Sequence, residues 1–376
     1  MNADELIKLL PNNYEKTCYE TKAITRNRTI NNPKDLMKLL LYYLYEASLV
    51  SVSQYEIINN IGKISDVALM KRFTKCKDWI KSVIENIKPN EIINYNKPVE
   101  LEQYNVFAAD ASVISEKSAV HKEWHLHYMV NLFSLNCSQF KITEQTIGET
   151  LKNFEYHEND LVIADRIYGT VSGMEYCLDQ GGDFIIRLRN KAFNIYNEAK
   201  EKIILLDWLK SINDKAAEIK VYFKDSQKQY CPIRICAIRK SEDEIRIEEQ
   251  RIEKRAAKKQ TEISEETKFT HCFIIVATSL PKTISAAKIL DFYRLRWQVE
   301  IVFKRYKSVL GMGNMPTKTK EASEVWLNGK MLIALLIEKY LGDIDFSPSW
   351  NIRKESEYME RYETYITFDI CEHPSR

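Results

Sequence analysis

Twenty residues, Asp291 to Leu310 (DFYRLRWQVEIVFKRYKSVL), set the tightest constraint on how this chain folds. Read as an α-helix at about 100° per residue, the stretch places Tyr293, Arg296, Glu300 and Lys307 within roughly 60° of one another. Leu295, Val299, Val302, Tyr306 and Leu310 line the opposite side as a continuous apolar face. Such a helix has to lie against a core. Its narrow polar edge then holds a carboxylate flanked by cations and a phenol. An ordinary amphipathic helix with Glu–Lys pairs spaces its charges in the same way. The aromatic wall beside Glu300 predicts instead a half-buried carboxylate, where an idle charge is costly.

With 376 residues the chain has room for two or three domains and a large core. Hydrophobic content of 45% and charged content of 29% read as a soluble globular protein. A net charge of only +2 gives no global basic field, so nucleic-acid contacts must come from local patches. The longest purely apolar run, Met331 to Ile337, is too short to span a bilayer. The opening MNADELIKLL has no apolar signal core. Eight scattered cysteines include no CxxC pair and no finger spacing, and they read as reduced thiols in a cytoplasmic protein.

Residues 1 to about 88 read as helical. Asn32-Pro33 is a cap and first-turn pair for DLMKLLLYYLYEASLV. Gln54 to Asn60 is a short helix ending near Gly62, and Ser65 caps a longer one from Asp66 to Ile87. Short helix, turn and basic helix suggest a helix-turn-helix, with Lys71, Arg72, Lys75 and Lys77 toward phosphates or base edges. A plain helical bundle with a solvated basic face is the alternative. Lys88 to Val99, with two prolines, reads as a linker.

From Glu102 the pattern turns to strands. NVFAADASVIS ends its apolar run in Asp110; HLHYMVNLFSLN and FKITEQ follow; DLVIADRIYG delivers Asp165 at its end. A helix over Thr170 to Gln180 and a strand in GGDFIIRLR complete the order expected of a ribonuclease-H-like sheet, which sets Asp110 beside Asp165. Residues 193–268 hold strand-like EIKVYFK and QYCPIRICAIR, then a charge-laced segment that reads as an exposed helix, with disorder as the competing state. FIIVATSL returns to the sheet, Ser285 opens the helix carrying Glu300, and a last helix runs through KMLIALLIEKYL. From about Asp345 no pattern is visible. His125 and His127 alternate on one strand face, near His121, and invite a zinc reading that lacks any other support.

The spacing Tyr-x2-Arg-x3-Glu-x6-Lys, together with ADRIYG and FAADASVI, resembles the signature of insertion-sequence transposases of the Asp-Asp-Glu type, in the branch called insertion sequence family four. The likeness covers most of residues 30 to 340. It implies an α/β fold: a ribonuclease-H-like catalytic core with a β-rich insertion, preceded by an all-helical DNA-binding domain. The implied division is 1–97 for DNA binding and linker, 98–192 for the first part of the core and 193–268 for the insertion. The second part of the core is then 269–318, and 319–376 is a C-terminal helical region with a possible dimer contact. Asp110, Asp165 and Glu300 would be the catalytic, metal-binding triad. Tyr293, Arg296 and Lys307, with Lys304 and Arg166 beside them, would grip DNA. Three carboxylates without Cys or His suit two Mg²⁺ (or Mn²⁺) ions better than zinc. The implied partners are double-stranded DNA, as inverted repeats and target, and a second copy in a homodimer. The implied location is prokaryotic cytoplasm and nucleoid, with no membrane. One departure stands out: relatives that cut through a DNA hairpin place a Trp in the strand before the catalytic helix, where this chain has only Phe273. A ribonuclease-H-like structure-specific nuclease and a non-catalytic DNA-binding derivative are the alternatives.

Overall fold

The computed structural model describes residues 3–25, 29–45, 48–58, 61–87, 97–116, 123–189, 191–213, 215–317 and 319–342. Most of the linker, His121 and the stretch from 343 on, including any dimer contact there, lie outside the described residues.

Six helices open the chain: α1 (Ala3–Lys8), α2 (Tyr14–Glu20), α3 (Pro33–Leu44), α4 (Leu49–Ile58), α5 (Asp66–Thr74) and α6 (Lys77–Glu85). Asn32 caps α3 by accepting from the Asp35 amide at 2.8 Å, with Pro33 at the first helical position. Ser65 caps α5 through the Ala68 amide at 3.3 Å. The helix expected from Asp66 to Ile87 is, however, two helices. At Lys75 and Cys76 the amides bond back three residues, to Arg72 and Phe73, which tightens the turn and redirects the axis. The break lets Phe73, Cys76, Trp79 and Val83 all point inward, and the Trp79 indole donates to the Tyr14 carbonyl at 2.8 Å.

The first strands of a sheet follow: β1 (Asn105–Glu116), β2 (Glu123–Asn131), β3 (Cys137–Glu144), β4 (Asp160–Ala164), helix α7 (Val171–Asp179) and β5 (Asp183–Arg187). Then come β6 (Ile195–Tyr196), β7 (Lys202–Ile203), α8 (Leu205–Lys210), β8 (Ala217–Lys224), β9 (Tyr230–Arg239), α9 (Glu242–Lys259), α10 (Glu265–His271) and β10 (Phe273–Thr278). The chain continues as α11 (Ala286–Arg294), α12 (Trp297–Ser308), β11 (Asn314–Met315) and α13 (Lys320–Gly342). The strands make one 11-stranded sheet in the order β3-β2-β1-β4-β5-β10-β9-β8-β6-β7, with β11 against the end of β1. Strands β1, β4 and β5 run parallel; β2 and β3 return antiparallel beside β1, giving a mixed α/β fold with a ribonuclease-H-like core.

Both faces of the parallel strands are covered, which is why they read as unbroken apolar runs. Val106, Ala108 and Ile163 face a core shared with α11, α12 and α13. Phe107, Ala109 and Val162 face a second one shared with α7. The inserted strands are a continuation of this sheet rather than a body of their own, because β9 pairs along the whole of β10. Helix α9 is ordered by a reciprocal capping box between Ser241 and Glu244 and is exposed along most of its length. Helix α13 packs against α3, α5 and α6. At Gly329 a Cβ would run into the Leu44 side chain of α3. No helix among the described residues is long and apolar enough to cross a membrane.

Candidate active site at the end of the parallel strands

Asp110 does not end its strand, as its sequence context suggests; β1 runs on to Glu116, paired with β2 from Phe107 to Ser115. What ends there is the parallel pairing. The last β1–β4 partners are Ala109 and Ala164, so Asp110 and Asp165 are the next residues on neighbouring strands. Each carboxylate accepts from the amide that follows it, Asp110 from Ala111 at 2.9 Å and Asp165 from Arg166 at 2.6 Å. The Tyr168 amide then bonds the Asp165 carbonyl at 3.0 Å and turns the chain into α7. Asp110 is only 19% exposed. Burial raises its pKa to about 6, and the charges of Glu149 and Asp165 push it the same way against the Ala111 amide and Arg296.

The helix carrying Glu300 departs from a single continuous rod. It breaks between α11 and α12, where the amides of Leu295 and Arg296 bond back three residues to Phe292 and Tyr293. Tyr293 therefore lies on α11, buried, while Arg296 becomes the residue before α12 and Glu300 sits in its first turn. Burial raises the Tyr293 phenol above its ordinary range, and the charges of Arg296 and Arg187 work in the opposite sense. Arg296 reaches both acidic partners: Nη1 lies 3.6 Å from Asp110 Oδ2, and Nη2 pairs with Glu300 Oε1. Glu300 itself is 58% exposed, so the half-buried carboxylate expected from the aromatic wall is not found. That wall instead takes Val299, Val302, Phe303 and Tyr306. Lys304 and Lys307 follow Glu300 by four and seven residues on the same exposed face of α12.

Other residues singled out in the sequence are distributed differently. Arg166 is half-buried, and its charge helps depress the pKa of His271. Lys71 and Lys75 are exposed on and just after α5. Arg72 instead donates to the Ala23 carbonyl at 3.2 Å, and Lys77 pairs with Glu324 of α13; both are engaged in packing the helical layer. Phe273 is buried and 5.4 Å from the Phe269 ring, so it presents no face to a base. His127 is buried with both ring nitrogens bonded, to Thr143 and Asn153.

Three residues near the aspartates escape the sequence reading. Arg187, at the end of β5, acts on Tyr293. Glu149 comes from the loop after β3, and Tyr168 lies three residues past Asp165. Arg187 closes a strand beside β4, a position that could have flagged it; Glu149 stands in a loop without pattern. Tyr168 is fully buried, and among the described residues its hydroxyl has no hydrogen-bond partner.

Among the described residues no three of His, Cys, Asp and Glu stand close enough to hold a metal ion between them. Arg296 lies between Asp110 and Glu300, holding their charges with its own. The donors are nonetheless carboxylate oxygens throughout, with an orphaned buried hydroxyl nearby, a set that fits a hard divalent cation.

The sequence matches the family described as the transposase DDE domain over residues 116–337, a span that includes Asp165 and Glu300 and begins just after Asp110. It is 26% identical over 349 residues to InsL of insertion sequence element IS186A from Escherichia coli (strain K12), covering 90% of this chain and 93% of that one. It is 25% identical over 350 residues to the transposase for insertion sequence element IS421 of Escherichia coli, with the same coverage. A shorter likeness, 37% over 97 residues, joins it to the transposase for insertion sequence element IS231C of Bacillus thuringiensis subsp. berliner, covering 24% of this chain and 20% of that one.

Proposed function

Because this chain belongs to the transposase DDE domain family, we propose that it is the transposase of an insertion sequence, of the branch with the Tyr-x2-Arg-x3-Glu-x6-Lys signature. It binds the terminal inverted repeats of its element, cuts there and joins the freed ends to target DNA. The observation that carries this is the meeting of Asp110, Asp165 and the Arg296–Glu300 pair at the end of two parallel strands.

In this reading Asp110, Asp165 and Glu300 hold two Mg²⁺ or Mn²⁺ ions. When bound, the ions supply an activated water and neutralise charge on the leaving oxygen. The chain's own residues do the rest. Lys304 and Lys307 hold phosphates as point charges, and Arg296, turned from the carboxylates, grips one as a fork. Tyr293 is too buried to touch DNA and positions Arg296 instead. Hydrolysis breaks the bond to the 3′ oxygen at the element's end. The resulting 3′ hydroxyl then attacks a target phosphodiester, and the displaced target oxygen takes up the proton. Since Phe273 offers no exposed ring, we take the ends to be released by direct hydrolysis. Exposed Lys71 and Lys75 on the N-terminal helices contact the repeats, and action at two ends uses two copies of the chain in a cytoplasmic complex on DNA.

Labelled duplex carrying the element's end tests the proposal, with Mg²⁺ and either wild type or Glu300→Gln. Metal-dependent cutting at the end, lost in E300Q with binding retained, is expected. Cutting that ignores the end sequence would point to a general nuclease, and binding without cutting to a DNA-binding derivative.

A further inference from the structure

Helix α9 segregates its charges rather than alternating them. Its first eight residues, EDEIRIEE, carry five carboxylates and one arginine; its last nine, RIEKRAAKK, carry five cations and one carboxylate. The acidic half is engaged. Glu244 closes the capping box with Ser241, Asp243 pairs with Arg246, and Glu248 meets His271 Nδ1 at 3.4 Å and Lys240 Nζ at 3.9 Å. The basic half is not. Lys254, Arg255, Lys258 and Lys259 are exposed, and among the described residues none of these four side chains has an ion pair or a hydrogen bond.

Local helix physics does not account for that half. Arg251, Arg255 and Lys259 stand four residues apart in one row, and Lys254 and Lys258 in another, so like charges face each other and weaken the helix. The helix dipole favours cations in the last turn, which covers Lys258 and Lys259 only. A polyanion laid along the rows turns this repulsion into attraction. The helix also stands at the rim where such a polyanion would pass. Strand β10 is antiparallel to both β5 and β9, so β9 ends on the same side of the sheet as β1, β4 and β5. Cys236 is level with Arg187 through Val276, and Arg187 with Asp165, the residue after the Ala164–Ile186 pair. From that level β9 runs three residues further, about 10 Å, to Arg239, and it lies three strands from β4, about 15 Å to the side. Helix α9, about 27 Å long, starts there.

We propose that the exposed basic half of α9 is a further contact for duplex DNA, an arm that holds the phosphate backbone beside the cut. This rests on the reading that the chain acts on DNA. Neither the spacing of the signature around Glu300 nor the two strand-end aspartates requires it. The element's end and the target present the same phosphates, and the test separates them.

Fluorescence anisotropy of a labelled element-end duplex over a salt series tests it, with the full chain as wild type and as K254Q/R255Q/K258Q/K259Q, each checked by thermal melting. In the variant the slope of log affinity against log salt should fall by about 2–4, and affinity near physiological salt by about tenfold or more. K254R/K258R/K259R keeps the charges and should bind as wild type does. An unchanged slope on the element's end, with strand transfer demanding about tenfold more target plasmid, would assign the arm to target DNA. No change in either readout overturns the proposal, as does an equal loss in K254R/K258R/K259R. Should the quadruple variant fail to fold, K254Q/R255Q is read instead: a slope lower by about 1–2 supports the arm, and unchanged binding and transfer overturn it. A lowered slope in the variant, together with no metal-dependent cutting by wild type, would keep the arm and remove the transposase reading.

Discussion

Arg296 and Asp110 come within 3.6 Å of each other across the gap between a helix start and a strand, while the same guanidinium holds Glu300. One cation thus spans two carboxylates 190 positions apart in sequence (300 − 110). Removing it should separate two quantities that usually fall together. In Arg296→Ala, Mn²⁺ should bind about tenfold more tightly, since a competing unit charge about 4 Å away is gone. Cleavage of the element's end should nevertheless slow by about 100-fold or more, because a phosphate fork is lost. Calorimetry and a single-turnover cleavage assay read the two; weaker Mn²⁺ binding in R296A would sink this account of the residue.

The N-terminal cations divide into two kinds. Lys71 and Lys75 are exposed, so K71A/K75A should leave the melting temperature unchanged and weaken repeat binding. If both touch phosphates, the slope of log affinity against log salt should drop by about 2. Arg72→Ala should do the reverse, costing about 1 kcal/mol of stability through the lost bond to Ala23. Filter binding over a salt series, with parallel denaturant melts, distinguishes them.

His127 supplies a pH dependence. Burial lowers its pKa to about 4, and the charges of His125 and Lys141 act in the same direction. The folded imidazole stays neutral where an unfolded one, near 6.5, already takes a proton. Stability from this group is therefore complete above about pH 6.5 and falls as the pH drops toward 4, by about 3 kcal/mol in all. The difference between wild type and His127→Gln in urea midpoints should carry that slope. A constant difference from pH 7 to pH 4 would rule it out.

Arg234 on β9 ties that strand to the loop leading into α11. Its guanidinium donates to the carbonyls of Leu280 at 3.1 Å, Pro281 at 2.7 Å and Ile284 at 2.9 Å, and pairs with Glu218. Arg234→Met should cost about 3 kcal/mol, as expected when one partner of a largely buried pair is removed. It should also slow cleavage, since the loop into α11 is then unsupported. Calorimetric melting and the cleavage assay check both, and a melting temperature within a degree of wild type would contradict it.

Much of the sheet was legible in the sequence because periodicity and strand ends are local signals. The apolar runs before Asp110 and Asp165 are buried on both sides, and such runs announce themselves. Ser65, Thr170, Ser241 and Ser285 each cap the helix that follows, as their residue types suggest. The two helix breaks were not legible. Leu295-Arg296 and Lys75-Cys76 contain neither Gly nor Pro, and the turns tighten there because tertiary packing needs Tyr293 and Trp79 to face inward. Glu300 lies on a helix, as the periodicity predicts, but its exposure depends on how far α12 stands from the sheet, which no periodicity encodes. Arg72 and Lys77 failed as free cations for a similar reason: their partners, Ala23 and Glu324, are distant in sequence.

The pairing of β11 with the end of β1 has a consequence for how the protein comes into being. Ser115 lies opposite Asn314, so a strand made early is closed by residues added 199 positions later (314 − 115). At roughly 5–20 residues per second a ribosome takes about 10–40 s to cover that distance. Asp165 is added part-way through that interval, and Arg296 and Glu300 only toward its end. On the proposed reading, a product stopped short of residue 300 lacks one carboxylate of the site and should not cut DNA, however well its first helices fold.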